Sequence, residues 1–72
     1  MTHFKKGTAV EWHWGNGTGE GKVSETFTHD VTRTIKGAEI TRHASTDEPA
    51  YLIRQENGGR VLKSESELKG AK

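Results

Sequence analysis

Apolar and polar positions alternate over residues 8–14, where Val10, Trp12 and Trp14 are separated by Glu11 and His13. Successive side chains of a strand point to opposite faces, so the spacing predicts a strand carrying Val10, Trp12 and Trp14 on one face. Gly15-Asn16-Gly17-Thr18-Gly19 follows, and its permissive residues predict a loop that ends this strand. Alternation resumes over residues 21–28. Val23 and Phe27 fall on one face, interrupted by Glu25, and Lys22, Ser24 and Thr26 on the other. Thr26, Thr28, Thr32 and Thr34 add β-branched stiffness that favours extended backbone.

Residues 36–49 lack a clear period. Lys36-Gly37-Ala38-Glu39 is turn-like between Ile35 and Ile40, and Pro49 moves Glu48 out of helical geometry. A long excursion with weak strand character at its edges is expected here. Residues 50–56 read as a strand, and Asn57-Gly58 as a two-residue hairpin turn, because Asn-Gly supplies positive φ angles. That turn would set Ile53 opposite Leu62 and Leu52 opposite Lys63, with residues 60–63 as the returning strand and a bulge at Gly59. Ser64-Glu65-Ser66-Glu67 has the form of a capping box. It predicts one short C-terminal helical turn that carries Leu68 back onto the core.

Short strands, glycine-rich turns and one late helical turn predict an all-β fold: a small antiparallel barrel. With 72 residues the chain is expected to be a single domain, residues 1–72. Only 29% of residues are hydrophobic, so the two tryptophans matter to the core, since each can bury about 200 Å². The 11 Lys and Arg against 10 Asp and Glu, a net charge of +1, are interleaved as on a solvated mixed surface. No stretch approaches the roughly 20 apolar residues of a membrane-spanning helix. Lys5-Lys6 is followed by no apolar segment of a secretory signal, so a cytoplasmic location and no membrane partner are expected.

Four segments carry a family resemblance. They are Phe4-Lys5-Lys6-Gly7-Thr8-Ala9-Val10-Glu11-Trp12, Gly19-Glu20-Gly21-Lys22-Val23, Asp47-Glu48-Pro49-Ala50-Tyr51 and the late Leu68. In order and spacing they resemble the hypervirulence-associated protein TUDOR-domain family of small, mostly bacterial proteins. The resemblance covers nearly the whole chain. It implies an SH3-like, Tudor-type barrel of about five strands. It implies no catalytic or ligand residues, and a fold alone does not specify a function.

The residues point away from catalysis. A phosphate-binding loop would need glycine at Asn16 and a hydroxyl at Val23, so the glycine-rich stretch reads as turn chemistry. Asn16-Gly17-Thr18 matches a glycosylation sequon, without meaning in a chain that is not secreted. His3, His13, His29 and His43 have no metal-ligand spacing and there is no cysteine, so no metal and no cofactor are expected. There is no nucleophile elbow. A monomer of this size is not expected to enclose a water-free pocket, and is therefore not expected to be an enzyme. An enzyme could arise only from a pore shared between subunits. The outline of the chain superficially resembles the plasmid-borne type of dihydrofolate reductase built in that way. That family's Val-Gln-Ile-Tyr pore motif is absent, however, and the corresponding strand reads Arg60-Val61-Leu62-Lys63.

What remains is a non-enzymatic binding module whose partner is a protein or a nucleic acid. It would act as a monomer or weak homodimer, and the family name suggests an accessory role in stress or virulence. The alternative is a homo-oligomeric structural or interaction protein. Tudor-type barrels often bind methylated lysine or arginine in an aromatic cage, and Trp14, Tyr51 and Phe27 are the ligand-binding candidates here. Trp12 sits mid-strand and is expected in the core. Trp14 abuts glycine and asparagine, which offer little cover, and is expected to be partly exposed unless the 36–49 excursion closes over it.

Overall fold

In the computed structural model, which describes residues 3–70, the four strand-period segments are joined by three further strands, seven in all, and one 3-10 turn. They are β1 (Ala9–Trp14), β2 (Gly17–Phe27), β3 (Val31–Ile35), β4 (Ala38–Arg42), β5 (Ala50–Arg54), β6 (Arg60–Ser64), the 3-10 turn Glu65–Glu67, and β7 (Lys69–Gly70). Five strands form one antiparallel sheet in the order β6-β5-β2-β1-β7, while β3 and β4 form a separate hairpin. The sheet's outermost strands, β6 and β7, are consecutive in the chain. A flat five-stranded sheet would hold them about 19 Å apart. The turn between them rises only about 2 Å per residue, so the sheet must curve. No ladder joins β6 to β7, and the expected barrel is therefore a curved, open sheet.

Two small cores lie on its two sides. Val10, Trp12, Val23, Tyr51 and Ile53 form the first, with Phe4, Val61 and Leu68 packed against it. Val31, Ala50 and Leu62 form the second, with Phe27, Ile35, Ile40 and Ala44 around them. Strand β5 lies between the two, which explains its unbroken buried run Ala50-Tyr51-Leu52-Ile53. A strand covered on both faces has no reason to alternate. Among the described residues, no helix is long and apolar enough to cross a membrane.

Several expected details differ. The first loop is only Gly15-Asn16, because Trp14 pairs with Gly17 and Gly17 to Gly19 already belong to β2. Gly15 has φ of 48°, as a glycine-first hairpin turn requires. The excursion over 36–49 is in part a second hairpin. Lys36 and Gly37 both take positive φ, 52° and 79°, so a two-residue turn joins β3 to β4. In the β5–β6 hairpin, Ile53 faces Val61 and Leu52 faces Leu62, one residue off the expected register. The loop is Glu56-Asn57-Gly58 rather than Asn57-Gly58. Gly58 holds positive φ (89°), and the Asn57 Oδ1 accepts a 2.8 Å bond from the Gly59 amide.

The largest departure is in β2. Its register against β5 shifts between Val23 and Glu25, leaving Ser24 as an extra residue. A bulge of this kind exchanges the faces of everything beyond it. Val23 therefore enters the first core and Phe27 the second, although simple alternation puts them on one face.

The capping box is formed, and the Ser64 amide donates to Glu67 Oε1 at 2.7 Å. Leu68 is delivered to the first core, as expected. Glu67 also ties the separate hairpin to the main sheet, accepting from Arg42 Nε at 2.9 Å, with Lys63 Nζ 3.8 Å away. Burial pushes its carboxyl up. The Arg42 guanidinium and the Ser64 amide, helped by Lys63, outweigh that and hold it below its usual range. A carboxyl lowered in the folded state stabilises above its unfolded pKa, and that contribution is lost as pH falls through the folded pKa. Glu67→Gln is expected to lower stability by up to about 1 kcal/mol at neutral pH, because the Arg42–Glu67 pair is partly exposed and screened by solvent. It should also flatten the loss of stability on acidification, measured by urea unfolding between neutral and acid pH. An unchanged acid profile would show that Glu67 is not part of it.

Candidate functional site

The β1–β2 hairpin has a regular construction. Val10 lies opposite Gly21, Trp12 opposite Gly19 and Trp14 opposite Gly17, so each of these three large apolar side chains of β1 faces a residue with none. A Cβ at Gly19 would stand 2.5 Å from Cε2 of Trp12, and one at Gly17 would stand 3.1 Å from Cζ2 of Trp14. Both indoles therefore lie over glycine backbone. Their exposures differ sharply, at 4% for Trp12 and 61% for Trp14.

This difference follows from where the neighbouring strands stop. β5 pairs with β2 only from Lys22 onward, and β7 pairs with β1 only at Val10 and Glu11. The far half of the hairpin, Trp12 to Trp14 with Gly17 to Gly19, has ladder partners only within itself. It extends beyond the sheet as a two-stranded ribbon with open edges and Trp14 at its tip. Trp14 is the one large apolar side chain exposed among the described residues. The β3–β4 hairpin does not close over it, since it packs against β6.

The other two aromatic candidates are elsewhere. Tyr51 is fully buried in the first core, edge-on to Phe4 with ring centroids 5.5 Å apart. Its hydroxyl donates to Glu65 Oε1 at 2.7 Å and accepts from the Phe4 amide at 3.1 Å. Burial pushes its pKa up to about 12. Phe27 lies at the opposite end of β2 from the tip, beneath the Arg33 guanidinium, which stands 4.7 Å above its ring. Trp14, Tyr51 and Phe27 are thus not brought together. Tyr51 is enclosed by residues distant in the chain, the first core together with Phe4 and Glu65 of the 3-10 turn, which local sequence does not reveal.

The histidines are also separate. His3 Nδ1 lies 2.8 Å from Glu65 Oε1, and His43 Nδ1 lies 3.1 Å from Asp30 Oδ2. The His43 ring, together with the Ala44 amide, holds the Asp30 carboxyl below its usual range. Among the described residues no three His, Cys, Asp or Glu side chains are grouped to hold a metal ion. A groove of ≈ 500 Å³ runs between β2 and the β5–β6 loop, lined in part by Ala9, Gly21, Lys22, Arg54, Gln55 and Gly58. It is open to solvent.

Compared with known families, residues 7–68 match the model described as the hypervirulence associated proteins TUDOR domain. No curated protein and no solved structure gave a match. The match spans most of the chain, and the chain belongs to this family.

Proposed function

We propose that this Tudor-family domain is a small, non-enzymatic binding module that captures a protein partner through the tip of the β1–β2 hairpin. The curved sheet is read as a Tudor-type barrel of five strands in which the 3-10 turn stands in for the closing ladder. The observation that carries the proposal is the 61% exposure of Trp14. A large indole left in water forfeits a few kcal/mol of burial, and tryptophan is enriched among residues that dominate binding energy. The open edges beside it offer backbone groups to an added strand, which can supply affinity while the indole supplies an anchor. Trp14 acts in this reading without Tyr51 and Phe27. A cytoplasmic accessory role in stress or virulence belongs to the same proposal. The open edges also favour a second reading, in which two copies pair weakly through them, and light scattering distinguishes it.

The test is a pull-down from cells with wild-type and Trp14→Ala baits. Trp14→Ala is expected to change stability by less than about 1 kcal/mol, because the side chain is exposed. It is expected to weaken capture of the partner about thirtyfold, the effect of losing a hot-spot residue. Equal capture by a folded Trp14→Ala bait would remove the hairpin tip from the binding surface.

A further inference from the structure

The register of the sheet places Lys22 opposite Arg54, and Arg54 opposite Arg60. Residues directly opposite share a face, so three cations form a row across β2, β5 and β6. All three are exposed. None of them takes part in an ion pair among the described residues, where the pairs involve His3, Arg42, His43, Lys63 and Lys69. Like charges directly opposite one another destabilise a sheet, so the row has no structural benefit to explain it. The backbone bonds between Gly7 and Val23, and between Val23 and Thr8, bring the Lys5-Lys6 turn to the same stretch of β2.

The geometry points to this row as a track for the phosphate backbone of a single-stranded nucleic acid. Strands about 4.8 Å apart present the three charges as a line of about 10 Å, a repeated array that suits a repeated anion. Two of the three are guanidinium groups, whose planar fork matches phosphate oxygens. The groove beside the row is walled by Ala9, Gly21 and Gly58, which leave room for a base, and Gln55 supplies an amide that can bond a base edge. Glu20 and Glu56 line the same groove. They repel phosphate and confine it to the line of cations. The row lies apart from Trp14, so this inference does not rest on the protein partner proposed above.

Fluorescence anisotropy with a labelled oligo(dT) of about 12 nucleotides tests it. Wild-type protein is expected to bind with a slope of log K against log salt of about −2, since each phosphate contacted on a single strand contributes about −0.7. Between ~50 and ~200 mM salt, affinity should fall by about an order of magnitude. Each of Lys22→Gln, Arg54→Gln and Arg60→Gln should reduce the magnitude of the slope by about 0.7, with the thermal midpoint unchanged or slightly raised. Glu56→Gln should strengthen binding, and Trp14→Ala should leave it unchanged. No binding by the wild type at ~50 mM salt would overturn the inference. So would slopes unaltered by the three substitutions, or equal competition by poly-glutamate at matched charge, which would mean a surface for acidic chains in general. Loss of partner capture by Trp14→Ala with oligo(dT) binding retained would separate the two surfaces.

Discussion

Trp12→Ala is expected to destabilise this protein by about 3–5 kcal/mol, the usual cost of removing a buried aromatic side chain. A domain of this length has a total stability of roughly 4–11 kcal/mol, so this one change consumes much of it. Trp12 is 4% exposed and belongs to a core of only five buried residues, in which Val10, Val23, Tyr51 and Ile53 are the others. The void cannot collapse easily. Beneath the indole is the bare backbone of Gly19, which has no side chain to move into it. Urea unfolding monitored by circular dichroism measures the effect directly. A loss below about 1.5 kcal/mol would mean that the first core does not depend on this ring. The same change at Trp14, exposed at the hairpin tip, should cost far less, and the contrast between the two tryptophans is the cleaner readout.

Gly19→Ala is expected to cost about 1–3 kcal/mol, although alanine is no worse than glycine in an extended strand. The added Cβ would lie 2.5 Å from Cε2 and 2.6 Å from Cζ2 and Nε1 of Trp12, a rigid ring enclosed by the first core. Neither the ring nor the backbone beneath it can give way without disturbing neighbours. Gly17→Ala provides the control. Its Cβ would stand 3.1 Å from the indole of Trp14, which is exposed and can swing aside. That substitution should stay within about 0.5 kcal/mol of wild type. In a Trp12→Ala background, Gly19→Ala should become nearly neutral, because residues in contact couple and the clash would be gone. Additive losses in that double-mutant cycle would show that Gly19 is required for some other reason.

The row Lys22, Arg54 and Arg60 illustrates why part of the surface was not legible from the chain. The three residues come from strands whose neighbour relations depend on register, and the register of β5 against β6 differs by one residue from the one a two-residue Asn57-Gly58 turn predicts. A two-residue Asn57-Gly58 turn and a three-residue Glu56-Asn57-Gly58 loop use the same sequence. Only the pairing of the flanking strands decides between them. Phe27 presents a similar case. Nothing about Ser24 marks it as a bulge, and the bulge arises where β2 must leave one core and enter another.

What the sequence by itself determined was local: the existence of the strands that became β1, β2, β5 and β6, the neighbourhood of their turns, and the capping box. Alternation of Val10, Trp12 and Trp14, the glycine turns and Ser64-Glu65-Ser66-Glu67 each act over a few residues, where sterics and side-chain hydrogen bonding are set by neighbours in the chain. The family resemblance was legible for the same reason, being carried by short segments in order. The tertiary structure decided what those segments meet. It turned the first half of the 36–49 excursion into the turn and second strand of a hairpin, enclosed Tyr51 behind Phe4 and Glu65, and left Trp14 beyond the reach of β5 and β7. Burial is a property of what packs from elsewhere in the chain, so two tryptophans on the same face of one strand could end at 4% and 61% exposure.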